Sequence, residues 1–392
     1  MNICIFTPGW LPVHRDFGAG GIEVHVQQLV SGIIRKGHEI TIITTKHPED
    51  VKYEELDGLN IFYAGNYPLK CNSDYYKESI ELFNEINKTS QFDIVHTQDY
   101  AGYGYYKKYD QKIPSVVTAH GTPLNMLKSI SRVKNPKSFP QVPHWVKYHL
   151  FVSPVIFRKS NKIISVSDEL CNDIIFQYNI SKSKITTVFH GIDTELFKPK
   201  LSNVKTEIDI KNEKLILFVG GLQKLKGVHL LIESLPQILT RIDAKLVIIG
   251  DGPYLNNLKK TVNRINVRNK VIFIEKVSNQ ALPDYYNAAD IVVIPSIVIE
   301  SAGLVVLESM STGRPVIASK IGGIPSAIEH LKDGILVEPG NTRELSERIF
   351  ELLQNKELAE NLGRAGRNKV IEKFSLDRMI EQTLRIYEEC IN

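Results

Sequence analysis

Short runs rich in Val and Ile alternate along the chain with longer amphipathic stretches. In the first half the strand-like runs are NICIFTP, HEITIITT, FDIVHT, IPSVVTAH, KIISVS and ITTVFHG. The first two enclose a predicted helix whose apolar residues follow helical spacing: Val26, Leu29, Val30, Ile33 and Ile34. Gly37 is predicted to end this helix. Strand-helix-strand repetition of this kind predicts a parallel sheet with helices on both faces.

A second series of strand-like runs begins near residue 214: KLILFVGG, AKLVIIGDG, KVIFIEKV, DIVVIPS, PVIASK and GILVEPG. A polar, irregular stretch at 197–213 separates the two series and is interpreted as a linker. The sequence therefore predicts an α/β protein with two Rossmann-like, doubly wound parallel-sheet domains, 1–196 and 214–374, that face a central cleft. Ligands of such sheets bind beyond the carboxyl ends of the strands, so candidate chemistry is sought in the loops that follow strands.

The bulk composition is that of a soluble globular protein. The chain has 392 residues, 43% of them hydrophobic and 23% charged, and this length favours two or three domains. No apolar run approaches the ~20 residues that span a bilayer. The amino terminus leads directly into a strand, and the four cysteines lack metal-ligand or redox spacing. These features favour a cytoplasmic protein with reduced thiols.

The net charge of +4 is too small to indicate a nucleic-acid partner, but its distribution is uneven. No acidic residue lies between Asp110 and Asp168, whereas nine basic ones do: Lys112, Lys128, Arg132, Lys134, Lys137, Lys147, Arg158, Lys159 and Lys162. Four aromatic residues are interspersed with them: Trp145, Tyr148, Phe151 and Phe157. This basic segment (residues 112–162) suits an anionic membrane surface or an anionic acceptor. A solvated basic face with the aromatic residues in the core explains it equally well.

The stretch ESAGLVVLE follows a buried strand and contains two glutamates, Glu300 and Glu308. On one continuous helix they would point ~80° apart. A helix that begins near Gly303 instead leaves Glu300 in the loop and aims the N–H groups of Leu304 and Val305 at phosphate oxygens. Glu308 is then predicted to accept hydrogen bonds from a ribose diol, with Glu300 left for the group attached to the phosphates. Taken singly, each glutamate would be an ordinary helix-surface or turn residue.

A glycine-rich loop, GAGGIE, leads from the first strand into the first helix. Gly18, Gly20 and Gly21 allow a ligand to approach the backbone, and the helix start offers free N–H groups to an anion. The loop lacks the G-x-G-x-x-G spacing, and no G-x-x-x-x-G-K-[ST] occurs in the chain. The sequence therefore supports neither a nicotinamide dehydrogenase nor a P-loop enzyme.

Two further loops carry candidate ligand-binding residues. In FVGGLQKLKG, Gly221 permits close approach, and Lys224 and Lys226 supply charge for a diphosphate. In VVTAHGTP, His120 ends a buried strand, where its imidazole could donate to a sugar hydroxyl, a phosphate or a carbonyl. His190 lies in a similar setting, but a structural turn explains it equally well.

Taken together in chain order, these motifs resemble the family-four glycosyltransferases of the GT-B fold. The motifs that carry the resemblance are GGIEVHV, HGT, HGID, KG, GDGP, PS, the paired glutamates, GRPV, GGIP and DGILVEPG, and they span the chain to about Phe374. The resemblance implies retaining transfer of a sugar from a nucleotide-diphosphate sugar, without a metal ion or other cofactor, to a lipid-linked, saccharide or small-molecule acceptor. It also implies that the final helix, 375–392, packs back on the first domain. The basic segment adds the expectation of peripheral attachment to a membrane.

The resemblance also implies roles for individual residues. Glu308 would bind the ribose and Glu300 the donor sugar, while Lys226 would neutralise the diphosphate. The backbone N–H of Gly21 would lie near the leaving phosphate, and His120 would contact the donor sugar near the reaction centre. Attack by the acceptor would then occur on the face that the phosphate leaves, with Lys226 and the helix N-terminus stabilising the charge that develops on it.

Three positions depart from the family pattern. The family usually has arginine at the position of Gly221, an aromatic residue at that of Ala302 and glycine at that of Glu275. The missing arginine removes a second cation for the diphosphate. This keeps open the alternative of a degenerate nucleotide-sugar or glycan-binding partner subunit without transferase activity. A separate enzyme alternative is a GT-B phosphorylase or sugar-nucleotide epimerase.

Overall fold

The computed structural model describes residues 1–9, 20–47, 49–66, 74–108, 112–131, 142–300 and 303–392. The residues named so far that lie outside these ranges are Gly18, Asp110, Arg132, Lys134, Lys137 and Ala302, and one of the four cysteines, Cys71, lies outside them too. The chain divides into two compact units. The first unit comprises Met1–Gly191 and Leu376–Asn392, and the second unit comprises Ile192–Ser375.

The first unit begins with alternating strands and helices. Its strands are β1 (Asn2–Phe6), β2 (Glu39–Thr45), β3 (Tyr53–Leu56), β4 (Leu59–Ala64), β5 (Ile94–Gln98), β6 (Ser115–Ala119), β7 (Lys162–Ser165) and β8 (Ile185–Thr187). Its helices up to residue 191 are α1 (Gly21–Arg35), α2 (Asp74–Ser90), α3 (Tyr103–Lys108), α4 (Pro123–Ser131), α5 (Val142–Lys147), α6 (Ser153–Lys159) and α7 (Asp168–Tyr178). A π-helical turn, Tyr148–Val152, joins α5 to α6.

The sheet of the first unit has the order β3-β4-β2-β1-β5-β6-β7-β8. Every pairing is parallel except that of β3 with β4, a hairpin at the edge that the sequence patterns did not reveal. Successive strand residues point to opposite faces. Ile3 and Ile5 belong to a core formed with α1, whereas Phe6 packs on Phe83 of α2. Helices therefore cover both faces, as predicted.

The second unit repeats this design with fewer strands. Its strands are β9 (Lys214–Val219), β10 (Ala244–Ile249), β11 (Val271–Ile274), β12 (Ile291–Ile294), β13 (Val316–Ser319) and β14 (Ile335–Val337). Its helices are α8 (Val204–Glu207), α9 (Val228–Leu239), α10 (Leu255–Arg264), α11 (Leu282–Ala288), α12 (Leu304–Ser311), α13 (Ile324–Ala327), α14 (Thr342–Gln354) and α15 (Lys356–Lys373).

The sheet of the second unit is wholly parallel, with the order β11-β10-β9-β12-β13-β14. Counted within the unit, this is the 3-2-1-4-5-6 order of the Rossmann fold. The strand order reverses between β9 and β12, which pair directly. Because ligands bind where the order reverses, the loops that follow β9 and β12 are the first place to look for a site. The prediction of two doubly wound sheets is confirmed.

The carboxyl-terminal helix α16 (Leu376–Ile391) belongs to the first unit. Met379 and Ile380 join the core around α1, and Tyr387 is fully buried. The stretch 197–213, interpreted from the sequence as a linker, lies within the second unit. Phe197 is buried there, and the hydroxyl of Ser202 donates to the carbonyl of Asp284 at 2.7 Å.

Candidate functional site

The loops after β9 and β12 of the second unit meet at the point where the strand order reverses. Lys226 ends a 3₁₀ turn, Lys224–Lys226, and Gly227 follows with φ +71°. A Cβ on Gly227 would lie 1.9 Å from the carbonyl oxygen of Pro295, so this close approach requires glycine. The N–H of Ile297 also donates to the carbonyl of Leu225 at 2.9 Å. These backbone contacts place Lys226 beside the loop that carries Glu300.

Lys226 and Glu300 form a bidentate ion pair. The Lys226 Nζ lies 2.7 and 2.9 Å from the two carboxylate oxygens of Glu300, and the Ser296 hydroxyl donates to the same carboxylate at 2.6 Å. Burial acts to raise the pKa of Glu300, but the charge of Lys226 and the hydrogen bonds from Lys226 and Ser296 outweigh it, so the pKa is lowered. Glu300 is therefore a carboxylate at neutral pH.

The backbone of Glu300 is held by the loop after β13. The N–H of Gly323 donates to the Glu300 carbonyl at 2.6 Å. Gly322 has φ +58°, and a Cβ there would lie 2.2 Å from that same carbonyl oxygen. The GGIP motif thus fixes the position of the first glutamate, which the sequence alone did not indicate.

Helix α12 begins immediately after Gly303, as predicted. Gly303 adopts the left-handed conformation, with φ +63°, and α12 extends over Leu304–Ser311. Within the described residues, the first hydrogen bonds of this helix run from the N–H groups of Val306 and Leu307 to the Gly303 carbonyl. Leu304 and Val305 are the first two residues of this helix, so no carbonyl within it accepts from their N–H groups, and such groups commonly bind anions.

Glu308 is a buried residue rather than part of an exposed helix face. It is 8% exposed, and its Oε2 accepts a hydrogen bond of 2.6 Å from the hydroxyl of Tyr286 on α11. Burial raises the pKa of Glu308 to about 7, and the hydrogen bond from Tyr286 acts in the opposite direction. Glu300 and Glu308 thus have different partners, which argues against an acid-base pair.

Gly221 lies exposed in the loop after β9. A Cβ at this position would meet no heavy atom within 4 Å. Local packing therefore does not explain the absence of the arginine that the family usually has here. Glu275, the other described departure, is exposed and directly follows β11.

In the first unit, His120 follows β6 and is held by two residues at the end of β5. Its Nε2 lies 2.8 Å from Oε1 of Gln98, and its backbone N–H donates to Oδ1 of Asp99 at 2.7 Å. Because an amide oxygen only accepts, Nε2 carries the proton and Nδ1 is left as an acceptor. Asp99 has φ +45°, unusual for a residue other than glycine, and burial raises its pKa to about 7.

Three more buried histidines surround His120. His25 Nδ1 and His190 Nδ1 are 2.8 Å apart, and the rings of His120 and His190 are stacked. His96 contacts the hydroxyl of Tyr387 on α16 through Nδ1. Burial, aided for His25 and His120 by the neighbouring imidazoles, lowers the pKa of all four, to about 4 for His190 and about 3 for His96. The histidine cluster (His25, His96, His120 and His190) is therefore neutral at pH 7.

The predicted anion site at the start of α1 is partly occupied by a side chain. Gly20 precedes the helix and Gly21 is its first residue. The Oε2 of Glu23 lies so close to Gly20 that a Cβ there would be 2.6 Å from it. Burial raises the pKa of Glu23, against hydrogen bonds from the backbone of Glu23 and Gly20. Glu23, three positions after the cap residue, thus makes one half of a capping box, and Gly20 has no side chain to make the other half.

The basic segment separates into buried and exposed residues. Tyr148 and Phe157 are in the core, Trp145 is half-buried, and Phe151 is 61% exposed. Leu150 and Val146 are also exposed, at 56% and 41%. The interpretation as a solvated basic face with core aromatics therefore holds for two of the four aromatic residues.

Sequence reasoning missed several residues that position these groups. Ser296 and Tyr286 contact the two glutamates, and Gln98 and Asp99 contact His120. Ser296 lies in the PS motif, and Gln98 and Asp99 follow a predicted strand. Because residues that follow strands are candidates for a site, the sequence could have identified these three. Tyr286 gave none, because an aromatic residue on a short helix is usually a core residue.

The described ranges contain neither a metal-ligand cluster nor a membrane-spanning helix. No group of three or more His, Cys, Asp or Glu side chains there is arranged to hold a metal ion. None of the helices formed by those residues is long and apolar enough to span a membrane.

Two family models match successive parts of the chain. The model described as Glycosyltransferase Family 4 matches residues 19–196, and that described as Glycosyl transferases group 1 matches residues 202–369. An uncharacterized glycosyltransferase of Methanocaldococcus jannaschii is 30% identical over 382 residues, which cover 94% of each chain.

Solved structures share the fold over the whole length. Sucrose-phosphate synthase from Thermosynechococcus elongatus has a TM-score of 0.85 and 22% identity, covering 99% of this chain and 98% of that one. Anabaena HepE in complex with UDP-glucose has a TM-score of 0.79 and 18% identity, covering 99% and 100%. These comparisons do not favour a degenerate binding subunit, a phosphorylase or an epimerase. The chain belongs to the family-four glycosyltransferases, retaining enzymes of the GT-B fold that take their sugar from a nucleotide sugar.

Proposed function

We propose that the second unit binds the nucleotide-sugar donor at the point where its strand order reverses. The contact between Lys226 and Glu300 is the observation that carries this proposal, since it brings a cation and a carboxylate together beside the start of α12. Glu308 would accept hydrogen bonds from the ribose, and the N–H groups of Leu304 and Val305 would bind phosphate oxygens. Glu300 would bind the donor sugar.

Lys226 has to exchange partners when the donor binds. In the free protein its charge is balanced by Glu300. As the bond between sugar and phosphate breaks, negative charge grows on the diphosphate, and a cation aimed at that charge lowers the barrier. Lys226 supplies this charge together with the start of α12, so we propose that turnover requires no metal ion. Activity that survives EDTA supports this part, whereas activity restored only by a divalent cation contradicts it.

We propose that His120 contacts the donor sugar and that the backbone of Gly20 and Gly21 approaches the leaving phosphate. Because Nδ1 of His120 is an acceptor, the side chain would accept a hydrogen bond from a sugar hydroxyl rather than donate one. Approach of a phosphate to Gly20 would require the carboxylate of Glu23 to move away from this backbone.

The decisive experiment combines a donor screen with transfer assays. Nucleotide sugars that raise the melting temperature are then supplied radiolabelled, with lipid-linked, saccharide and small-molecule acceptors. Glu308→Ala is expected to weaken nucleotide binding. The free variant should still fold, so that its melting temperature can be measured with and without nucleotide. Donor that binds but is never consumed, with any acceptor, would contradict the assignment of these residues to a transferase site.

We further propose that the exposed part of the basic segment attaches the enzyme to an anionic membrane. Val146, Leu150 and Phe151 are exposed on consecutive turns, and the exposed Lys147 lies among them. Apolar residues flanked by lysine are typical of surfaces that enter the headgroup region of anionic lipids. Such attachment would favour a lipid-linked acceptor over a soluble one.

Vesicle sedimentation tests this attachment. The enzyme is expected to sediment with phosphatidylglycerol-containing vesicles, less so as salt rises, and not with pure phosphatidylcholine. Leu150→Ser with Phe151→Ser should abolish sedimentation. Phe176→Ser is the matched control, since Phe176 is an exposed aromatic residue of the same unit outside the segment. Equal loss in the control, or no sedimentation of the wild-type enzyme, would refute the proposal.

A further inference from the structure

We propose, on the basis of the role proposed above for Glu308, that Tyr286 is a positioning residue for the donor nucleotide. Its hydroxyl holds one carboxylate oxygen of Glu308, so that the other oxygen is presented to the ribose diol. Tyr286 itself does not touch the substrate in this scheme. The consequence is that recognition of the ribose depends on a residue of α11 as well as on α12.

The position of Tyr286 is tightly constrained. Its side chain is fully buried, and its ring packs edge-on against Phe197 with centroids 6.1 Å apart. Phe197 is held in turn, because the Ser311 hydroxyl at the end of α12 donates to its carbonyl. The neighbouring Asn287 binds the backbone of Lys200. Tyr286 therefore cannot leave Glu308 without disturbing several other contacts.

The hydrogen bond of 2.6 Å between Tyr286 and Glu308 has a fixed direction. Burial and the adjacent carboxylate raise the pKa of Tyr286 well above its usual range, so the phenol keeps its proton and donates a hydrogen bond to Oε2 of Glu308. A donor of this kind favours the charged form of a buried carboxylate and orients it. One oxygen of Glu308 is thereby fixed, and its second oxygen points in a defined direction.

The test compares ribonucleotides with analogues that lack the ribose hydroxyls. Binding of UDP, GDP and ADP, and of their 2′,3′-dideoxy forms, is measured by calorimetry for the wild-type protein, Tyr286→Phe and Tyr285→Phe. We expect Tyr286→Phe to bind the ribonucleotide about tenfold more weakly, as loss of one hydrogen bond to a charged group predicts. Binding of the dideoxy form should be unchanged. Tyr285 is the neighbouring, half-buried tyrosine of the same helix, and its variant should match the wild type.

The outcomes separate a positioning role of Tyr286 from a purely structural role, and both from failure of the proposed donor site. Equal weakening of ribo- and dideoxynucleotides by Tyr286→Phe would show a purely structural role and overturn the proposal, as would unchanged ribonucleotide binding. Phe197→Leu, which removes the ring that packs on Tyr286 and leaves both Tyr286 and Glu308 intact, is the second variant should Tyr286→Phe not fold; it should show a ribose-specific loss. If Glu308→Gln binds both nucleotide forms like the wild type, the role of Glu308 itself fails. Absence of any nucleotide binding by the wild-type protein would instead refute the donor site.

Discussion

Lys226 and Glu300 of the second unit are both charged and neutralise each other, whereas the histidine cluster of the first unit is kept neutral. The ion pair is partly exposed, with 32% of the Lys226 side chain and 17% of the Glu300 side chain accessible. The histidines are buried, and burial together with neighbouring imidazoles lowers the pKa of His120 well below its usual range. Both arrangements keep polar groups in place without an unpaired buried charge.

The two arrangements differ in what a ligand has to do. An anion that binds Lys226 must displace Glu300, so part of the interaction energy is spent on breaking an existing pair. A hydroxyl that binds His120 finds a neutral acceptor already oriented by Gln98, with no ion pair to break. Substitutions in the second unit should therefore change charge stabilisation and phosphate affinity, and those around His120 should change turnover alone.

The largest effect is expected from removing the cation. Lys226→Ala should lower kcat about 10²- to 10³-fold, the usual cost of losing one group that stabilises developing charge. Lys226→Arg should recover part of this activity because it keeps the charge. Steady-state kinetics with the donor identified by the screen measure both.

Lys200→Ala is the matched control for the cation. Lys200 also forms an ion pair in the second unit, 2.8 Å from Asp284, and is similarly exposed. Its loss should leave kcat unchanged, because the pair joins the stretch 197–213 to α11 and includes no residue of the loops after β9 and β12. Comparable losses in the two variants would mean that Lys226 acts only as part of the fold.

A smaller effect is expected from removing the acceptor that orients His120. Gln98→Leu leaves the Nε2 proton of His120 without a partner and frees the ring to rotate or to change tautomer. We expect kcat to fall about tenfold and the affinity for nucleoside diphosphate to stay the same. Gln177→Leu, which removes another amide of the first unit, should have no effect. A change in diphosphate affinity with unchanged kcat would contradict the division of labour between the two regions.

The sequence was sufficient to predict both sheets, since runs such as KLILFVGG and DIVVIPS are too apolar to be anything other than buried strands. It also predicted the start of α12, because glycine at 303 marks the break between loop and helix. The edge hairpin β3–β4 was missed, as Tyr53–Leu56 is a short run with alternating exposure that carries two glutamates.

Partners of the site residues were harder to predict than the residues themselves. The pairing of Lys226 with Glu300 joins positions 74 residues apart, and it depends on how closely the backbone at Gly227 approaches Pro295. Tyr286 and Glu308 meet because α11 and α12 pack together, and no local pattern records that contact. Periodicity predicts which face of an element is buried, but it does not specify which buried side chain meets which.

Neutralising Glu300 should strengthen the binding of a diphosphate that carries no sugar. In Glu300→Gln the ligand no longer competes with a carboxylate for Lys226, and a partly exposed ion pair contributes up to about 1 kcal/mol, or about fivefold in affinity. Calorimetry with UDP, GDP and ADP measures this, and the unphosphorylated nucleosides should bind as before. Glu329→Gln breaks the pair with Lys332 elsewhere in the unit and should change nothing. Weaker diphosphate binding by Glu300→Gln would show that Glu300 supports the diphosphate rather than competing with it.

The smallest effect is expected from restoring the cation that the family usually has at position 221. A side chain on Gly221 meets no neighbouring atom, and the backbone there is not in the left-handed region, so Gly221→Arg should fold normally. An exposed, solvated charge near the diphosphate should raise donor affinity only about threefold, and less at high salt. Gly221→Gln, of similar length but uncharged, is the control and should match the wild type. A large gain from arginine would mean that Lys226, held by Glu300, leaves the diphosphate poorly neutralised; no gain would mean that the ion pair opens readily enough for Lys226 to suffice.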